Sequence, residues 1–172
     1  VDVNASLDEL SLTYFEPFLE GIISRSSGSV TGDLKLSGTL DQLALVGSDC
    51  WFNDLGFVLD YTNVPYRLNG KFDLNEKGIF FNNLPIYDNY NNKGIVNGNL
   101  SYDYFRDLAL NLNIDFTNLH ALNTTEKENE YFYGNAFATG DVKIHGPLST
   151  IGIDINVIAN KNTSIHIPLS SS

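Results

Sequence analysis

The segment Thr31-Gly32-Asp33-Leu34-Lys35-Leu36-Ser37-Gly38-Thr39-Leu40 returns later in the chain as Thr139-Gly140-Asp141-Val142-Lys143-Ile144-His145-Gly146-Pro147-Leu148. The first Thr, both Gly, the Asp, the Lys and the last Leu are unchanged, while Leu34 and Leu36 become Val142 and Ile144. A looser copy, Gly94-Ile95-Val96-Asn97-Gly98-Asn99-Leu100-Ser101-Tyr102, lies between them. Each copy alternates apolar and polar residues, keeps Gly on the apolar side and runs into a turn. A two-residue period gives every strand one apolar face and one wet face. Recurrence of such a unit describes a chain that grows by stacking strands.

The alternation continues outside the repeats. Val30, Leu34, Leu36 and Leu40 share a side with Gly32 and Gly38, and Leu55, Phe57, Leu59 and Tyr61 form the next row. Tyr66, Leu68, Phe72 and Leu74 follow with Gly70, then Val96, Leu100 and Tyr102. The cleanest row is Leu108, Leu110, Leu112, Ile114 and Phe116. A long strand runs from Phe132 through Gly134, Ala136, Ala138, Gly140 and Val142 to Ile144. Ile151, Ile153, Ile155 and Val157 close the series, with Ile165 and Ile167 in a short final strand. Turn chemistry punctuates the rows at Asn53-Asp54, Asn75-Glu76-Lys77-Gly78, Asp88 to Gly94 and Gly146-Pro147. Links this short join antiparallel strands, because a parallel crossover needs a dozen or more residues. The polar stretch Asn123 to Glu130 reads as a surface loop.

One segment departs from the two-residue period. Leu10, Tyr14, Phe15, Phe18, Leu19, Ile22 and Ile23 fall at helical spacing. Pro17 restricts a helix to starting near it, and Arg25-Ser26-Ser27-Gly28 would end it. The spacing predicts a short amphipathic helix over about Tyr14–Ser24, lying against the apolar face of the strands.

Charge and composition exclude whole classes of function. The chain has 172 residues, 21 acidic against 10 basic side chains, a net charge of −11 and a pI near 4.4. No basic run exists to meet a phosphate backbone or an anionic membrane surface, so nucleic acid is not an expected partner. No apolar stretch reaches the roughly 20 residues that span a bilayer. Val1 opens the chain inside an apparent strand, so residues 1–172 are expected to be one domain cut from a longer repetitive protein. The single cysteine, Cys50, has no disulfide partner and reads as a small buried hydrophobe.

Convergent catalytic groups are missing from the pattern. His120, His145 and His166 have no partner at metal-ligand spacing, and His145 and His166 fall on polar faces. The acids stand singly. Asp88-Asn89-Tyr90-Asn91-Asn92 has Tyr where a calcium loop wants oxygen and no bidentate Glu follows, so it reads as a hairpin turn. The glycines carry no phosphate-binding spacing. Neither an enzyme nor a cofactor or metal is expected. Four glycosylation-type triplets, at Asn4, Asn99, Asn123 and Asn162, are chance matches in an Asn-rich chain.

Pattern alone leaves two architectures open. In a β-sandwich the apolar rows interdigitate with a second sheet about 10 Å away. In the other, one long sheet curls into an open trough lined by those rows. Glycines on the apolar side at 32, 38, 70, 98, 134, 140 and 146 favour curvature and close approach.

The order of local signatures resembles the C-terminal region of TamB-type proteins, within the AsmA-like bridge proteins, especially the versions in Bacteroidetes-like bacteria. The signatures are Glu16-Pro17-Phe18-Leu19-Glu20-Gly21, Gly28 to Leu40, Pro85-Ile86-Tyr87-Asp88 and Gly94-Ile95-Val96-Asn97-Gly98. Tyr133 to Gly140, Ile144-His145-Gly146-Pro147-Leu148 and Asn162 to Leu169 complete the succession, which spans nearly the whole chain. Asn162 departs from the family pattern, which has Thr there.

The resemblance implies an all-β fold: a single, strongly curved, mostly antiparallel sheet of about ten strands, forming an open U-shaped trough with one short N-terminal helix. It implies a periplasmic segment of a protein anchored in the inner membrane. There it would be a non-enzymatic conduit for phospholipid acyl chains, working with a BamA-like outer-membrane barrel. The expected lining is Val30, Leu34, Leu36, Leu40, Phe72, Val96, Leu100, Leu110, Leu112, Ile114, Val142, Ile144, Ile153 and Ile155. An excised trough has reason to dimerise and hide such a lining. Two other classes compete. One is a structural module that assists outer-membrane protein assembly through strand pairing. The other is an extracellular carbohydrate-binding sandwich with Trp51, Tyr87, Tyr90 and Tyr104 as candidate platforms.

Overall fold

The computed structural model describes residues 1–103 and 106–168. Tyr104 and Leu169 lie outside the described residues. The described residues form an eleven-stranded antiparallel sheet. The strands are β1 (Asp2–Ser11), β2 (Ile23–Thr39), β3 (Gln42–Leu59), β4 (Val64–Lys71), β5 (Asp73–Asn75) and β6 (Gly78–Asp88). They continue as β7 (Lys93–Asp103), β8 (Arg106–Thr124), β9 (Tyr133–Pro147), β10 (Gly152–Ala159) and β11 (Ser164–His166). The order across the sheet is β1-β2-β3-β4-β6-β7-β8-β9-β10, with β5 between β3 and β6 and β11 on β9 beside β10. Strands adjacent in sequence are thus adjacent in space almost throughout.

The N-terminal helix is a correction. Leu12–Phe18 form one seven-residue 3-10 segment, and β2 starts at Ile23. Ser11 caps the segment by accepting from the Thr13 amide at 3.3 Å, and Leu12 is its buried anchor. Pro17 inside it has no amide to donate, and Gly21 follows at φ +78°. The β-branched pair Ile22-Ile23 then leads into a strand rather than another turn of helix. The segment is tied to β2 by Glu16, whose carboxylate accepts from the Ser26 amide at 2.6 Å.

Glu16 and Glu128 share a chemistry. Glu128 accepts from the amide of Thr125 at 2.7 Å and its hydroxyl at 2.9 Å. In each case the backbone hydrogen bond is the main reason the carboxyl titrates below its ordinary value. A folded value below the unfolded one stabilises the fold above the ordinary carboxylate range, and this is lost as pH falls through the depressed value. The amide proton resonances of Ser26 and Thr125 are therefore expected to move together as acidification passes below the ordinary carboxylate range, in an NMR titration.

Bulges reconcile the sequence with one continuous apolar face. The register slips between Leu7 and Leu10, Phe52 and Leu55, Phe81 and Leu84, and Phe116 and Leu119. Within these gaps Glu9, Asp54, Asn83 and Asn118 have positive φ, between 45° and 55°. Each surplus residue lets the next apolar side chain stay on the same side despite the change of parity, and it adds local twist. Asn53-Asp54 is thus a bulge within β3 and not a turn.

The internal repeat is a repeated hairpin. Leu34 faces Gly47 and Leu36 faces Leu45 in β2–β3, while Val142 faces Ile155 and Ile144 faces Ile153 in β9–β10. Both strands are offset by the same number of residues, so the two copies share one register.

Candidate functional site: the apolar face

Cross-strand pairing aligns the apolar residues into rows that cross most of the sheet. One row passes through Ala5, Leu34, Gly47, Leu74, Ile79, Leu100, Leu110 and Gly146. Another passes through Leu55, Leu68, Ile86, Gly94, Phe116, Gly140 and Val157. Between them Leu84, Val96, Ile114, Val142 and Ile155 stand opposite one another on β6 to β10. No polar residue interrupts these rows. All described strands belong to the one sheet, and no separate second sheet is present among the described residues.

Packing along the face is graded. At its centre Cys50, Phe72 and Leu74 form one buried cluster with Val30, Leu34, Leu45, Phe52, Ile79 and Phe81 around it. Leu84, Ile86 and Val96 form a second, flanked by Leu112 and Ile114 among others. Phe52 and Phe72 stack with ring centroids 4.3 Å apart. Toward the β10 edge cover is lost, and Ile153 and Ile155 are 55% and 66% exposed. Of the expected lining residues, all but Leu40 and Phe72 stand in strands and on this face. Phe72 sits between β4 and β5 inside the first cluster. Leu40 lies in the β2–β3 turn, 82% exposed, beyond the end of the row. Cys50 is buried, and burial raises its thiol above the ordinary value, which suits a packing role.

One end of the sheet is fixed by a polar cluster that alternation does not reveal. β8 runs past the tip of the β6–β7 hairpin and meets the β3–β4 turn, where the Asn123 amide donates to the Thr62 carbonyl at 2.9 Å. The Tyr66 hydroxyl donates to the His120 carbonyl at 2.8 Å, joining β4 to β8 across two intervening strands. Burial first, then the Asp88 charge, raises the Tyr66 phenol well above its ordinary value, so it stays a donor. Asp88 is buried at the hairpin tip. It accepts from the amides of Tyr90, Asn92 and His120 and from the Asn92 side chain, at 2.8 to 2.9 Å.

His120 itself is 3% exposed. It stacks on Phe137 at 4.7 Å, meets Tyr90 edge-on, and hydrogen-bonds Asn135 through Nε2. Beside it, a cavity of about 740 Å³ is lined by Tyr90, Asn92, Asn118, Phe137 and Ala159 to Asn162. Its amides are engaged with one another: Asn160 donates to Asn118 at 2.8 Å and to Thr139 at 2.9 Å, and Asn118 to Asn92 at 3.4 Å.

Among the candidate aromatic platforms, Trp51 donates to Asn69 at 3.3 Å and Tyr87 lies under Arg67 at 5.3 Å. No ring contact among the described residues joins Trp51, Tyr87 and Tyr90 into one surface. His145 and His166 are exposed on the polar side. The described residues contain no group of three or more His, Cys, Asp or Glu placed to hold a metal, and no helix long and apolar enough to cross a membrane. Comparison of the chain with protein-family models, curated proteins and solved structures finds no match.

Proposed function

We propose that this chain is a periplasmic segment of a TamB-like bridge protein and acts as a non-enzymatic conduit for phospholipid between the inner and outer membranes. In this reading the sheet is an open trough. The observation that supports it is the uninterrupted apolar face, with rows crossing seven or eight strands of a single sheet. Acyl chains slide along that face while headgroups stay in water. Shielding each CH₂ is worth roughly 0.8 kcal/mol, so a lining that is equally apolar along its length lowers the barrier to crossing water without creating a deep trap. The parent protein is held in the inner membrane and meets a BamA-like barrel at the outer membrane.

Native mass spectrometry of protein extracted without detergent tests occupancy directly, and co-purified phospholipid is the expected result. Transport is tested at Leu112, which stands between Gly98 and Ile144 in the middle of the face. A carboxylate placed against an acyl chain costs at least about 2 kcal/mol, so Leu112→Asp in the parent protein should slow lipid transfer roughly 30-fold. Asn111→Asp, on the polar side of the same strand, should leave it unchanged. Intact transfer in Leu112→Asp would refute the assignment.

A further inference from the structure

We propose that β10 pairs with β10 of a second copy of this chain, antiparallel about Ile155, to join two sheets into one. Among the described residues β10 is an unpaired edge, with one charge, Asp154, as its only guard. Its register with β9 is unbroken from Gly152 to Ala159, and it carries no Pro and no Lys. Ile155 on one face and Ile158 on the other are 66% and 76% exposed. The opposite edge, β1, is guarded by Asp2, Asp8 and Glu9 and by a bulge.

The internal repeat shows what belongs beside such a strand. In the first copy of the hairpin, the far side of β3 is covered: Leu74 pairs with Gly47, and the Phe72 amide donates to the Cys50 carbonyl at 3.1 Å. In the second copy Ile155 takes the place of Gly47, and no described strand follows it. The strand that covers β3 runs antiparallel to it, and a two-fold axis through Ile155 supplies the same arrangement for β10.

The sequence of β10 is complementary to itself in that register. Residues facing each other across strands share a face, so a symmetric pairing must centre on a residue. Centred on Ile155, Ile153 meets Val157 of the second copy, Asp154 meets Asn156, and Gly152 makes room for Ile158. Centring on Asp154 would bring two carboxylates together, and centring on Asn156 would set Asp154 against Ile158. The net charge of −11 opposes association in general. β10 contributes one acid to it, Asp154, already 3.3 Å from His145 Nε2.

The test uses lipid-free protein, so its outcome is independent of whether the face carries phospholipid. At about 100 μM, where even a Kd near 10 μM populates the pair, sedimentation should show a dimer. Ile155→Lys, and separately Ile158→Lys, should return it to monomer with unchanged circular dichroism; both side chains are exposed, so neither change should unfold the sheet. In a Cys50→Ala background, Ile155→Cys should oxidise to a homodimer, because facing Cα atoms about 4.5–5.5 Å apart suit a disulfide. Val3→Cys, on β1, should not. A monomer at that concentration, a dimer unaffected by both lysines, or a dimer linked through β1 would each overturn the proposal. Pairing of β10 only with a strand of another protein would overturn it too.

Discussion

Replacing Gly98 by alanine is expected to destabilise the protein by about 3–5 kcal/mol, at the upper end of single-residue effects. Gly98 sits at φ +126° in β7, facing Phe81 of β6 on one side and Leu112 of β8 on the other. A Cβ built there would fall 2.0 Å from the Asn111 carbonyl oxygen and 2.9 Å from the Leu112 Cα. Both are backbone atoms, so no rotamer change relieves the clash. β7 must move away from β8 beside the cluster of Leu84, Ile86 and Val96. Urea unfolding should show the loss in midpoint. Gly21→Ala separates sterics from conformation: its φ is +78° but nothing lies within 4 Å. Left-handed strain alone, about 1–2 kcal/mol, is expected there.

The second large effect is expected at Asp88. Its carboxylate accepts four hydrogen bonds, three from backbone amides, and the His120 amide among them is buried. Asp88→Ala leaves those donors without a partner at the point where the hairpin tip, β4 and β8 meet. Hydrogen bonds to a charged group are worth about 1.5–3 kcal/mol each, and part of this is recovered by water entering, so a net loss of about 3–4 kcal/mol is expected. Asp88→Asn should cost less, because its carbonyl still accepts from Tyr90 and Asn92 while its amide group opposes the His120 amide. Hydrogen exchange at His120 discriminates the cause: its protection should collapse in both variants, while that of Leu112 falls only with global stability.

The apolar rows were legible because period-two alternation survives wherever the ladder is regular. Leu108 to Phe116 and Gly134 to Ile144 can be read from composition and spacing alone, and pairing sets Leu112, Ile114 and Phe116 opposite Ile144, Val142 and Gly140 as the alternation requires. Alternation fails at the bulges. Asp54 and Asn118 are the residue types that also make turns, and nothing local separates a hairpin from one surplus residue within a strand. The cluster of Asp88, Tyr66 and His120 was hidden for the same reason. It depends on the slips between Phe116 and Leu119 and between His120 and Leu122, which sequence spacing does not register. The helical spacing around Tyr14 was a genuine local signal overridden by chain geometry. Pro17 removes a donor, and β2 claims Ile23 for the sheet. The lining residues were legible as a face, whereas the gradient of burial across it follows from tertiary packing and could not be.

Because each strand meets mainly the one before it and the one after it, the chain can order itself progressively. Closing a hairpin joins residues only a few positions apart, so the entropy lost at each step is small. Such an assembly resembles a zipper more than a simultaneous collapse, with stability accumulating from nearest-neighbour contacts. Whichever strands emerge first already have their partners close behind them.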